Sequence, residues 1–263
     1  LLIAITAYLS VAPQTQTAIR HMARTRFKTM GLLCFGTVAL AAGIVYWFQQ
    51  PDGKLHRTFA GNSAVLVTPE GRRIVYAGGG NLIPLIEQAM PAWDSTIDLL
   101  IVPANHDRAA GMVDEIVQRF PIKTIAMLQS NVMTETHAAI AAHATSATQL
   151  QIAGHTQTWS IEPNLELQFI NAGALGAIVS YGQSRITLAG QSHLLPAMQS
   201  SDLVFTDERD TATVTALKPR WIIWGDDTSK PARNVAGIRH ISLRNLASIH
   251  FVSDGTHVTL AGN

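Results

Sequence analysis

Ile97 to Gly111, IDLLIVPANHDRAAG, decides how this chain folds. The uninterrupted apolar run from Leu99 to Val102 has the pattern of a buried strand, and Pro103 ends it. A loop carrying Asn105, His106, Asp107 and Arg108 is expected next. Small residues and Gly111 then lead into a helix whose apolar positions, Met112, Val113, Ile116, Val117 and Phe120, fall on one face. A strand ending in a loop of polar, metal-capable side chains is where α/β proteins commonly place their chemistry.

Working outward, the segments before this stretch read as a meander. Leu55 to Phe59, Ala64 to Thr68 and Arg72 to Tyr76 are short strand-like runs, the last two joined by Pro69, Glu70 and Gly71. Gly78 to Gly80 allow a sharp turn into a helical pattern around Leu82 to Met90. Downstream, Thr124 to Leu128 reads as a strand and Asn131 to His143 as an alanine-rich helix with His137 and His143 facing solvent. Further strands are expected at Leu165 to Ile170, Ala177 to Tyr181, Arg185 to Ala189, Leu203 to Thr206, Trp221 to Trp224, Ile249 to Val252 and His257 to Leu260. Many strands interrupted by a few helices predict an α+β chain with two packed sheets and helices outside.

The composition, 47% hydrophobic and 14% charged, is apolar enough to imply a membrane part. A formal net charge of +1 supplies no global basic field of the kind that announces a nucleic-acid partner. With Cys34 as the single cysteine, neither an internal disulfide nor a cysteine-based metal site is available. Residues 1–12 read as the end of a transmembrane helix and residues 13–28 as a basic cytoplasmic loop with Arg20, Arg24, Arg26 and Lys28. Residues 29–50 read as a spanning helix, because Met30 to Phe48 carries no charge and reaches roughly the length a bilayer core needs. By the positive-inside rule, residues 51–263 then form a domain on the extracytoplasmic side. Opening at Leu1 inside an apolar run, the sequence reads as the C-terminal part of a longer protein.

The order of these elements resembles the C-terminal metallo-β-lactamase-like domain of the ComEC family of bacterial DNA-uptake proteins. Pro51 to Phe59, PDGKLHRTF, looks like that domain's opening, and Thr58 to Ala64, TFAGNSA, stands where members carry D-V-G-Q-G-D-A. Val75 to Gly80, VYAGGG, matches a strand ending in D-x-G, and Arg185 to Gln191, RITLAGQ, one ending in T-G-D. Asp202 to Thr206 resembles the strand before an H-H-G motif. Leu217 to Trp224, LKPRWIIW, resembles a V-K-P segment, and Ile249 to Leu260 the closing hairpin. The resemblance implies an αββα sandwich of metallo-β-lactamase type behind a transmembrane helix. It also implies a role in DNA uptake during competence and transformation.

The resemblance places the chemistry at positions this chain has changed. Where an active member has H-x-H-x-D-H, the three histidines fall on Pro103, Asn105 and Arg108, with Asp107 retained beside His106. Gln191 replaces the T-G-D aspartate, Tyr76 the D-x-G aspartate, and Asp207 and Glu208 stand near the H-H pair. Imidazole and carboxylate ligands must converge to hold the zinc or manganese such a family would use. Pro103 offers no side-chain ligand, and Arg108 brings a fixed positive charge into a cation site. These are the positions of a vestigial site, and no metal or other cofactor is expected there.

Three readings of function follow. The first is a non-catalytic domain that supports an upstream membrane channel region of the same protein, or guides single-stranded DNA through phosphate contacts from Arg57, Arg72, Arg73 and Arg108. The second is a metal-dependent phosphodiesterase or nuclease with a site rebuilt for magnesium or manganese. Its ligands would come from His106, Asp107, Asp207, Glu208, Asp210, Asp226 and Asp227. The third is a membrane-anchored scaffold unrelated to DNA. His193 and His240 read as surface or hydrogen-bonded histidines.

Overall fold

The structure is a computed structural model. It describes residues 35–41, 43, 44, 50–79, 82–91, 94–103, 107–128, 140, 148–153, 157–171, 175–189, 200–206, 211–225 and 237–261. Chain contacts divide it into two units, Leu1–Gln50 and Pro51–Asn263. In the first unit, residues 35–41, 43 and 44 are helical. Among the described residues no helix is long and apolar enough to cross a membrane, so the span expected at residues 29–50 receives no support from the structure.

Among the described residues the second unit has fifteen strands in two sheets. The first sheet opens with the meander β1 (Leu55–Ala60), β2 (Ser63–Val67) and β3 (Arg73–Tyr76). It continues in parallel through β4 (Ile97–Val102), β5 (Ile122–Leu128) and β6 (Gln149–Ala153). On its other side β1 pairs antiparallel with β14 (Ile249–Ser253), which pairs with β15 (Val258–Leu260). The second sheet runs β13 (Arg239–Ser242), β12 (Trp221–Trp224), β11 (Leu203–Thr206), β10 (Ser184–Ala189), β9 (Leu175–Tyr181), β8 (Leu165–Asn171), β7 (Gln157–Glu162).

Strand alternation sorts the apolar residues into three layers. Leu99 and Ile101 of β4 join Phe59, Leu66, Ile74, Leu167, Phe169, Phe205 and Phe251 between the sheets. Leu100 and Val102 point the other way, under α1 (Leu82–Ala89) and α2 (Asp107–Arg119). On the outer face of the second sheet, Val204, Ile222 and Trp224 pack beneath Val214 of α3 (Thr211–Ala216). From Leu99 to Val102 β4 is apolar because it is covered on both faces, as parallel strands usually are, and only Asp98 near its start reaches solvent. Helix α2 buries Val113 and Ile116, with Phe120 just past its end, which is the stripe expected from their spacing.

Two expectations about elements change. The loop after β4 is shorter than expected, since α2 already begins at Asp107, so Asp107 and Arg108 lie in its first turn. Strands β6, β7 and β13 and helix α3 add to the expected elements. The alanine-rich helix expected at Asn131 to His143 lies outside the described residues apart from Ile140, which is helical and buried.

Candidate functional site

The ends of β3, β4, β11 and β12 gather at one edge of the sandwich, where the sequence places the vestigial site. Tyr76 closes β3 with no exposed surface. Its ring meets Phe205 edge-on at 6.3 Å between centroids, and Phe205 meets Phe59 at 5.1 Å. The position the resemblance assigns to a carboxylate therefore carries part of the core between the sheets. Pro103, just past β4, is buried, and its carbonyl accepts a hydrogen bond from the Leu175 N–H at 2.8 Å. That bond ties the end of β4 to the start of β9 in the opposite sheet.

The turn between β1 and β2 reaches into the same edge. A side chain at Gly78 would lie 2.0 Å from the Asn62 carbonyl oxygen, and one at Gly225 would lie 2.1 Å from Asn62 Oδ1. Both glycines are needed because Asn62 occupies that space. Ser63 fastens the arrangement: its hydroxyl donates to the Gly79 carbonyl at 2.7 Å and accepts from the Gly79 N–H at 3.1 Å. The glycines bring backbone close to another stretch of this chain, a role that sequence spacing does not show.

Tyr76 and Pro103 do not fit a metal centre, one being enclosed among aromatic rings and the other lacking a donor side chain. Among the described residues, no group of three His, Cys, Asp or Glu side chains is placed to hold a metal ion. Asn105, His106, Gln191, Asp207, Glu208, Asp210, Asp226 and Asp227 lie outside the described residues, as do His137, His143 and His193.

The expected phosphate contacts need correction. Arg57 is fully buried on the inward face of β1, between Leu55 and Phe59. Arg73 is also buried; it donates to Asp94 Oδ2 at 2.7 Å and to the Thr96 carbonyl at 3.0 Å. The Arg73 hydrogen bond holds the Asp94 carboxyl down at about 2. Neither arginine presents a cation to a ligand in solution. Arg72 is exposed, within 3.6 Å of Glu70 and 3.7 Å of the buried Glu162. It lines a cleft of about 380 Å³ with Asp98, Lys123 and Trp159, at the starting ends of β4 and β5 and away from the vestigial edge.

One polar cluster has no counterpart in the expectations. His56 Nε2 pairs with Asp52 Oδ1 at 2.9 Å, and His56 Nδ1 lies 3.2 Å from His250 Nε2 with the two rings stacked. Cross-strand adjacency of β1 and β14 brings together these two histidines, 194 residues apart in sequence. On the second sheet, His240 stacks on Trp224 and accepts its indole N–H at Nδ1. Burial pushes both His250 and His240 below the ordinary histidine value, and His56 and Arg57 add repulsion at His250.

These shifts set a pH dependence. A histidine held neutral in the fold binds its proton less readily than in the unfolded chain. Its contribution is present above the ordinary value near 6.5 and is lost as pH falls from there toward the depressed folded value. Chemical denaturation between pH 8 and about pH 5 is expected to show stability falling below roughly pH 6.5, with His250→Gln reducing the slope. A flat profile in the unaltered chain would remove this assignment.

Two mixed sheets packed face to face, with helices on both outer faces, make this an α+β sandwich of metallo-β-lactamase-like fold, a layering it shares with the solved structures that follow. The structure is similar to the β-hydroxylase CmlA of Streptomyces venezuelae, with a TM-score of 0.55 and 11% identity over 76% of this chain and 54% of that one. Igni18, a metallo hydrolase from the archaeon Ignicoccus hospitalis, matches with a TM-score of 0.50 and 12% identity over 75% of this chain and 98% of its own. A Parabacteroides distasonis protein described as a metal-dependent hydrolase matches at 0.50 and 14%, over 73% and 94%. At these identities the likeness is one of fold. No protein-family model matches the chain, and no curated protein matches its sequence.

Proposed function

We propose that this chain is a metallo-β-lactamase-fold domain that keeps the scaffold of a hydrolase without its metal chemistry. In this reading it serves a ComEC-like DNA-uptake protein on the outer face of a bacterial membrane, as a structural support or guide for the incoming single strand. The observation that carries the reading is the filled edge. Tyr76 packs among core rings, Pro103 bonds to the opposite sheet, and Asn62 presses on Gly78 and Gly225. Among the described residues of that edge, two positions where the resemblance expects metal ligands, Tyr76 and Pro103, serve packing and sheet-to-sheet bonding instead.

Guidance in this reading uses few cations. With Arg57 and Arg73 inside the fold, Arg72 is the exposed one among the three of the four proposed arginines whose side chains are described. Weak binding that salt abolishes is the expected signature, with a log–log slope of about −0.7 for each phosphate neutralised on a single strand.

The test uses the full 263-residue chain in mild detergent. Bound metal is measured by elemental analysis after incubation with zinc, manganese and magnesium, alongside cleavage and salt-dependent binding of a labelled single-stranded oligonucleotide. Substoichiometric metal and no cleavage, unchanged by Asp107→Ala, are the expected results. Metal near one or two equivalents, with cleavage that Asp107→Ala abolishes, would replace this reading with a nuclease whose site was rebuilt. A metal-free protein that binds no DNA at low salt would leave the scaffold and remove the guide.

A further inference from the structure

Among the described residues Arg57 is a fully buried cation without a hydrogen-bond partner. It projects into the layer between the sheets, paired in register with Leu66 on β2 and Phe251 on β14, with no exposed surface. None of its three guanidinium nitrogens has a hydrogen-bond partner. Burial pulls its pKa down to about 9, so the group still carries its charge at neutral pH. Asp202 is the counter-charge that acts on it, yet among the described residues no hydrogen bond joins the two. The Asp202 carboxylate instead accepts the Arg185 N–H at 2.9 Å.

A second orphan lies in the same layer. Trp221, which pairs with Leu203 and faces the inter-sheet core, packs edge-on against Phe251 at 5.2 Å. Its indole Nε1 is likewise buried without a partner. Phe251 thus touches the Trp221 ring, whose other contact is the Arg239 guanidinium 4.8 Å from its centroid, and stands opposite the Arg57 guanidinium in the sheet. Both groups only donate hydrogen bonds, and one is a cation. A buried, unpaired cation is among the costliest arrangements a core can hold, so the missing component is an acceptor and preferably a negative one.

We propose that Arg57 and Trp221 form an internal anion site for a small monovalent anion of halide size. The planar guanidinium supplies the charge and the indole N–H a second donor. Phe59, Phe251 and Leu203 belong to the same inter-sheet layer and make the surroundings apolar. Such surroundings favour a weakly hydrated monovalent ion, since a divalent oxyanion would lose far more hydration on entry. Asp202 opposes the anion electrostatically, and this separates the site from a direct Arg57–Asp202 pairing.

Thermal unfolding of the full chain at constant ionic strength, with gluconate exchanged for chloride or bromide, tests the proposal. By mass action the midpoint is expected to rise roughly 3–6 °C for each tenfold increase in halide above its dissociation constant. Arg57→Met removes the dependence, Trp221→Phe weakens it, and Asp202→Asn shifts it to lower halide concentration. Bromide anomalous scattering from crystals of the unaltered chain gives an independent readout if Arg57→Met does not fold. A peak between Arg57 and Trp221 supports the site. Equal midpoints in gluconate and halide overturn it, as does an Asp202→Asn variant that is destabilised in every anion without gaining halide dependence. In those cases Asp202 or internal water serves Arg57 instead.

Discussion

Tyr76→Asp, which restores the carboxylate expected at this position of an active relative, is expected to unfold the chain and not to recruit a metal. Deleting a large core aromatic typically costs about 3–5 kcal/mol. Tyr76 also loses its edge contact with Phe205, the ring that links it to Phe59. The new carboxyl group would sit among apolar rings and stay protonated, adding roughly 1–3 kcal/mol for an unpaired buried polar group. Together these approach the ~5–15 kcal/mol that stabilises a typical domain. Urea denaturation should find little folded protein at 25 °C, whereas Tyr76→Phe keeps the ring and should cost only about 1 kcal/mol. A folded Tyr76→Asp variant whose midpoint rises with zinc would show that the vestigial site lies one substitution from function.

The contrast between these two variants shows what the residues disclose and what they hide. Apolar runs such as Leu99–Val102, Trp221–Trp224 and Leu203–Thr206 announce buried strands, and their structure follows closely. Three strands left unanticipated, β6, β7 and β13, all lie at sheet edges. An edge strand has one neighbour and a solvated side, so QTWSIE and RHIS carry little of the alternation that marks a covered strand. Helix α3, TATVTA, is short and rich in β-branched residues; it is helical because Val214 packs onto the second sheet.

Arg57 teaches a different lesson. Its alternation was visible: Leu55, Arg57 and Phe59 share one face of LHRTFA, and that face is the buried one. Arginine is mostly a surface residue by type, but the period-two pattern places this one inside. Arg73 was misplaced for another reason, since its partner Asp94 lies in the loop before β4 and becomes adjacent only when β3 and β4 pair. The vestigial substitutions were legible position by position. Their replacement by packing was not, because Asn62 and its two glycines are distant in sequence.

That contact yields the second large effect. Gly78→Ala would place a methyl group 2.0 Å from the Asn62 carbonyl oxygen, where only a shift of main chain on one side can relieve the overlap. Ser63 resists such a shift through its two hydrogen bonds to Gly79, so a loss of about 3–5 kcal/mol is expected. Gly225→Ala meets Asn62 Oδ1 instead, at 2.1 Å, and a side-chain amide can turn away. Its cost should be about 1–3 kcal/mol. Asn62→Ala then separates the two cases: it should recover much of the Gly225→Ala loss and almost none of the Gly78→Ala loss. A double-mutant cycle should give a coupling of about 1–2 kcal/mol for positions 62 and 225, and a value near zero for 62 and 78. The cycle bears directly on function, because a well-tolerated Gly78→Ala would mean that the edge has room to spare. A cleft able to admit a substrate would then be compatible with this fold, and the case for a domain without hydrolytic chemistry would rest on Tyr76 and Pro103 alone.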